Sequence, residues 1–344
     1  MLETCRGNTA FGLLMGAVFL AGCTSEQVTI PEPVSDSKPK PLVIDARILD
    51  VGSEGPNHAA LGKLRFRGGL ILASDNSHFG GLSSISIAED GVDITSISDR
   101  GDRIDATLIY DVHGNLAGIE GGTLQRLRGL DGNSLTKKRD SDAEAVASGA
   151  DGGFVIAFER RHRLMKYSKG ERTIPHPISM PDALQKAPNN GGIEALTRLK
   201  DGRLLAIAEK LEGEKAGDII GWIGNETNWR KIYYVSDFGF SPTGAATLPD
   251  GDVVVLERGL TLWSGLTGRL KRIPLSALNA GVRIQGQLLA EVILSQHITN
   301  FEGIDARLGA KGETLIYMIS DNNFSEIQKT VLIMLELVGN AVQE

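Results

Sequence analysis

A repeat of about 50 residues constrains this chain more than any other feature. Five segments share one pattern: a Gly, Ser or acidic start, a short strand, a tight turn, then an apolar strand ending in an acid. They are GGLSSISIAEDGVDITSISDRG, DAEAVASGADGGFVIAFERR, GGIEALTRLKDGRLLAIAEK, SPTGAATLPDGDVVVLERG and NFEGIDARLGAKGETLIYMISDN, the first from Gly80 and the last from Asn300. Glu144, Glu194 and Gly244 fall at successive steps of 50. A period of that length built from several strands marks propeller blades, not helical solenoid units. The pairs Asp90-Gly91, Asp201-Gly202 and Asp250-Gly251 stand between short apolar strands, where a hairpin turn needs them.

The spacing predicts an all-β, single β-propeller. Roughly 300 residues from Leu42 to Leu337, at about 50 per blade, predict six blades. Closure is expected from both chain ends, with Leu42–Val51 pairing near Thr330–Leu337, because a closed ring leaves no exposed strand edge. Helix is confined to a turn or two at Pro181–Lys186 and Pro274–Asn279. The 42 glycines and 5% aromatic residues suit many short strands and turns.

The N-terminus reads as a targeting segment. Phe11–Leu20 is an uncharged apolar run, too short to span a bilayer comfortably, and it leads into Leu20-Ala21-Gly22-Cys23. That motif resembles the bacterial lipobox, which implies cleavage before a lipidated Cys23. The expected organisation is a signal peptide over 1–22, lipidated cysteine and tether over 23–41, propeller over 42–338 and a tail over 339–344. Thr24 after the cysteine favours, by that resemblance, the outer membrane facing the periplasm. Cys5 lies in the removed part, so the mature chain has no internal disulfide, thiolate nucleophile or Cys-rich metal site. A net charge of −7 with interspersed positive residues argues against nucleic acid as a partner.

The same segments, taken in order, resemble the esterase-like, phytase-like family of bacterial exported proteins. The carrying motifs are Gly80-Gly81-Leu82-Ser83, Ser98-Asp99-Arg100-Gly101, Asp142-Ala143-Glu144-Ala145 and Gly192-Ile193-Glu194-Ala195. Further along come Leu256-Glu257-Arg258-Gly259, Asn300-Phe301-Glu302-Gly303 and Ser320-Asp321-Asn322-Asn323-Phe324. Ala145 and Ala195 stand where the family usually has Gly. The resemblance implies a propeller and, beyond it, hydrolysis of phosphoesters or esters.

The repeat places acids in two sets. Glu144, Glu194 and Glu302 open blades, with Ser83 and Thr243 nearby in the other two. Asp99, Glu159, Glu209, Glu257 and Asp321 end the following strand, most beside a base: Arg100, Arg160, Lys210 or Arg258. A propeller carries equivalent positions around one axis, so the carboxylates should meet at one mouth, where they repel unless a cation or proton neutralises them. Oxygen donors without Cys or His suit Ca2+. On this reading Glu144, Glu194 and Glu302 are metal ligands. Asp99, Glu159 and Asp321 are further ligands or the catalytic base, and the four bases hold an anionic substrate. A plainer alternative has the acids bonding backbone amides of the next blade, or pairing with the bases after them.

Other motifs offer less. No Gly-x-Ser-x-Gly elbow occurs, and His78 is the one histidine beside a motif, with a surface or turn role expected. Asn189–Gly192 reads as a turn, and Asn322-Asn323 as a loop cap. Two functions stay open: a metal-dependent hydrolase of phosphoesters or related esters, and a non-catalytic envelope binding module using the propeller face.

Overall fold

In the computed structural model the described residues are 38–50, 62–149, 151–170, 174–261, 265–279, 281–292, 300–325 and 327–338. The signal segment, Cys23, most of the tether and the tail lie outside them. Among the described residues no helix is long and apolar enough to cross a membrane.

Strands β1 (Lys40–Pro41), β2 (Asp45–Ile48) and β3 (Leu64–Ala73) precede the repeats. Blade one is β4 (Leu82–Ile87), β5 (Asp93–Ser98), β6 (Asp102–Tyr110) and β7 (Leu116–Arg126). Blade two follows a single helical turn, α1 (Lys138–Ser141), with β8 (Ala143–Ser148), β9 (Phe154–Phe158), β10 (Arg163–Tyr167) and β11 (His176–Ile178). Blade three is β12 (Ile193–Arg198), β13 (Leu204–Glu212), β14 (Asp218–Gly224) and β15 (Trp229–Val235). Blade four is β16 (Phe240–Thr247), β17 (Val253–Thr261), β18 (Gly265–Ile273) and β20 (Gln287–Val292), while β19 (Arg283–Ile284) pairs parallel to β15. Blade five is β21 (Phe301–Leu308), β22 (Thr314–Ser320) and β23 (Thr330–Leu337), extended by β3 and β2.

The innermost strands close a ring: β4 lies against β8, β8 against β12, β12 against β16, β16 against β21, and β21 against β4. The protein is therefore a propeller of five blades, not the six expected from length. The repeats are unequal. Ser83 and Glu144 are 61 positions apart and Thr243 and Glu302 are 59, against 50 from Glu144 to Glu194. The surplus goes into the long β6–β7 hairpin and into the segment around β19, not into another blade. The expected closure by both chain ends, with Leu42–Val51 pairing near Thr330–Leu337, is also corrected: β23 is bonded to β3, and β2 lies one strand further out. The two helical turns expected near Pro181 and Pro274 are present as 3-10 turns, Asp182–Lys186 and Leu275–Ala277.

Each of the five boundaries between blades holds its own apolar cluster. Middle strands are sandwiched, so successive residues serve opposite neighbours. Val253 and Val255 pack towards blade three, while Val254 and Leu256 pack towards blade five. That two-sided burial explains the uninterrupted apolar runs FVIAF, LLAIA and VVVL, which a sheet with one wet face would alternate with polar residues.

Candidate functional site: a ring of carboxylates around the axis

Every innermost strand carries one extra residue, and in each blade it is the residue at the matching repeat position. Leu82 and Ser84 pair with Ser98 and Ile97, leaving Ser83 as the extra residue of a β-bulge. The same slip isolates Glu144, Glu194, Thr243 and Glu302. A bulge re-aims one side chain, at the cost of a local bend in the strand. The outcome is a first tier of five positions, three of them carboxylates. Burial, then mutual repulsion, raises Glu144 and Glu194 well above the usual glutamate range. Burial also raises Glu302, against the pull of Arg258.

A second tier follows the adjoining strands. The amides of Asp99, Glu159, Glu209 and Asp321 donate to the carbonyls of Gly81, Asp142, Gly192 and Asn300 respectively, each two residues ahead of a bulge. In blade four the matching residue, opposite Ser241, is Arg258. Glu257, grouped with these acids in the sequence, instead turns into the blade. It is fully buried, accepts from Tyr234 Oη and Ser236 Oγ, and lies 3.2 Å from Lys271 Nζ. Burial raises Glu159 and Asp321 to about 7 each, and raises Asp99 against the attraction of Lys138.

One acid carried no assigned role in the sequence. Asp142, two residues before Glu144, is the sole carboxylate at a place filled elsewhere by Gly81, Gly192, Ser241 and Asn300. Ligand oxygens of Asp142, Glu144 and Glu159 all lie within 4.8 Å of one another, a cluster able to hold a metal ion. Its composition differs from the expected set: Glu144 is shared, Asp142 and Glu159 come from the flanking tiers, and Glu194 and Glu302 stand outside it. Asp142 is compensated by Lys138 and Arg160, both at 2.5 Å. Glu159 is not. Its Oε1 accepts from the Gly192 amide of the next blade, and its buried Oε2 has no partner among the described residues. An orphaned carboxylate oxygen beside Glu144 and Asp142 is the environment a hard, oxygen-seeking cation fits.

The four bases divide sharply. Arg160 is tied to Asp142, and Lys210 to Glu209 at 2.5 Å and to the Asn190 carbonyl. Arg258 reaches Glu302 at 2.5 Å, the Asn300 side chain, and Glu209 at 3.4 Å. Among the described residues the Arg100 guanidinium makes no hydrogen bond or ion pair. Its Cζ lies over the Phe324 ring, 3.2 Å from the centroid, and burial lowers its pKa against the attraction of Asp99. Phe324 is itself held awkwardly. Among the described residues the non-glycine positions with left-handed φ are Arg160, Asn323 and Phe324, all within three positions of a second-tier acid. Asn322 Oδ1 fixes this loop by accepting from the amides of Gly81 and Phe324, tying blade five over blade one.

His78 is buried, not superficial: its Nδ1 lies 3.1 Å from Asp102, which also pairs with Arg126 at 2.9 Å. At the other end of the inner strands a cavity of about 630 Å³ is lined from all five blades. Ser86 with Ser148, and Thr197 with Thr247, bridge blades there through paired hydroxyls. Asp305, raised to about 6 by burial, accepts from the amides of Ile87 and Ala306.

The fold and the two tiers define a five-bladed propeller with a carboxylate-lined axial mouth. The chain belongs to the Phytase-like family, described as esterase-like activity of phytase, which it matches over residues 77–324. No curated protein matches it in sequence. Among solved structures it is similar to a putative gluconolactonase, at 12% identity over 86% of this chain and 93% of that one, with a TM-score of 0.43. A gluconolactonase from Xanthomonas campestris gives 11% identity over 86% and 99% of the chains, also at 0.43. The PQQ-bound aldose sugar dehydrogenase from Streptomyces coelicolor gives 13% over 82% and 99%, again at 0.43.

Proposed function

We propose that this protein is a cation-dependent hydrolase of phosphoesters or related esters. The observation that carries the reading is the buried, unpartnered Oε2 of Glu159 beside Glu144 and Asp142. Those three residues would hold the ion, and an all-oxygen donor set favours Ca2+. When bound, such a cation supplies a Lewis acid for a phosphoryl or carbonyl oxygen. Arg100, whose guanidinium makes no hydrogen bond or ion pair among the described residues, receives an anionic group of the substrate. Asp321, raised to about 7 and close enough to interact with Arg100, has a pKa suited to taking a proton from attacking water near neutral pH. Asp99 is held by Lys138 through both its carbonyl and its carboxylate.

The resemblance of Leu20–Cys23 to a lipobox supports an envelope location, with 1–22 removed, Cys23 lipidated and 23–41 spacing the propeller from the membrane. The test of the catalytic reading is hydrolysis of aryl phosphates and short aryl esters by the purified chain, with calcium and with chelator. Turnover should require calcium and vanish in Glu144→Gln while the melting transition persists. Calcium binding without any ester hydrolysis would assign the protein to the binding modules instead.

A further inference from the structure

The second tier offers five places, and blade four breaks the pattern twice: Thr243 replaces a first-tier acid, and Arg258 replaces a second-tier one. The guanidinium therefore enters the one sector where its own blade supplies no negative charge, while blades three and five supply Glu209 and Glu302. Nη1 meets Glu302 Oε1 at 2.5 Å and the Asn300 side-chain oxygen, and Nη2 meets Glu209 Oε1 at 3.4 Å. Asn300 Nδ2 donates to the same Glu302 oxygen at 2.9 Å. Arg258 is the least exposed of the three ion-paired ring bases, at 22% against 40% for Arg160 and 46% for Lys210. Two groups of carboxylates result, with Glu194 near enough to Glu144 and to Arg258 to interact with both. Asp142, Glu144 and Glu159 cluster on one side, and Glu209 and Glu302 are bridged by Arg258 on the other.

We propose that Arg258 is a resident counter-cation that occupies the second half of the ring and restricts the mouth to a single divalent ion on the Asp142–Glu144–Glu159 side. This rests on the cation reading given above. A guanidinium stays charged throughout the working pH range and has donors fixed in a plane, so it bridges two facing carboxylates, offsets one of their two charges permanently and cannot exchange with solvent. A divalent ion in its place would leave through the mouth and would set two doubly charged ions side by side. The reaction is accordingly a one-ion hydrolysis, with Arg100 on the substrate, rather than a two-metal displacement.

The experiment counts Mn2+ bound per full chain by equilibrium dialysis, with paramagnetic resonance reporting whether two bound ions are coupled. Wild type and Arg258→Lys should each bind one ion, without coupling. Arg258→Met should bind two coupled ions, and adding Glu302→Gln to it should return the count to one. A single ion in Arg258→Met, or two in wild type, overturns the inference while leaving the cation reading standing. No ion in wild type sinks the cation reading itself. If Arg258→Met unfolds without metal, Mn2+ or the added Glu302→Gln should restore its melting transition. Failure of both to restore it counts against the resident-cation role.

Discussion

Glu159→Gln should stabilise the ion-free protein, and the size of the gain follows from the burial of one carboxyl. The folded carboxyl titrates at about 7 against a usual 4.5. Below pH 4.5 both folded and unfolded chains hold the proton, and Glu159 costs nothing. Above pH 7 the folded state must carry a charge that the unfolded state carries in water. Stability is therefore lost as pH rises from 4.5 to 7, by about 1.4 kcal/mol per unit, or about 3 kcal/mol in all. Glutamine keeps an oxygen for the Gly192 amide and never charges. By urea denaturation in chelator, the variant should exceed wild type by about 3 kcal/mol at pH 8 and by about 1 kcal/mol at pH 5. Calcium at a hundredfold its Kd should add about 2.7 kcal/mol to wild type at pH 8 and nothing to the variant, nearly closing the gap. A variant no more stable than wild type at pH 8, or a gap that does not change with pH, would refute both the burial argument and the ion's place in it.

Arg100→Met should raise KM for an aryl phosphate by about tenfold to a hundredfold, the worth of a charge-assisted bond, and leave a neutral aryl ester nearly unaffected; steady-state kinetics on both substrates decide it. Gly81→Ala should cost about 1–3 kcal/mol in denaturant melts, because Gly81 has φ +60° and an added Cβ would stand 2.4 Å from the Phe324 ring and 2.3 Å from Asp99 Oδ1. Cys23→Ser should move the protein from the membrane fraction to the soluble fraction, or leave it unprocessed; wild-type protein found soluble without lipid contradicts the anchor.

Much of this was legible because the repeat prints the same chemistry five times. Glu144, Glu194 and Glu302 could be aligned by eye, and their alignment alone required them to face one another. Blade number was less legible, since a mean spacing conceals the long first and fourth repeats. The bulges left no mark in composition, because an extra residue and an ordinary one look alike until the partner strand is known. For the same reason the sequence groups Glu257 with the other strand-ending acids: only the pairing of Ser241 with Arg258 shows that the base, one position later, holds the place. Asp142 had a signal that could have been used, being the one acid in a column of small or neutral residues. That the Arg100 guanidinium makes no hydrogen bond or ion pair among the described residues depends on where Lys138, Asp142 and Phe324 lie, and no local pattern contains it.

The five bulges have a consequence for how such a protein can change. Residues that pair in the sheets are committed to them, because shifting any one by a single place would exchange the side chains that face one neighbouring blade for those that face the other. The bulge residue is outside that commitment: the ladder skips it, and the neighbours on either side already find their partners. Chemistry at the mouth can thus be rewritten by substitution at Ser83, Glu144, Glu194, Thr243 or Glu302 with no cross-strand pair altered. Removing one of them outright would leave a regular strand that still fits its blade. The axial residues are loans from the chain to the channel, and a descendant could exchange them one blade at a time while keeping the same five sheets.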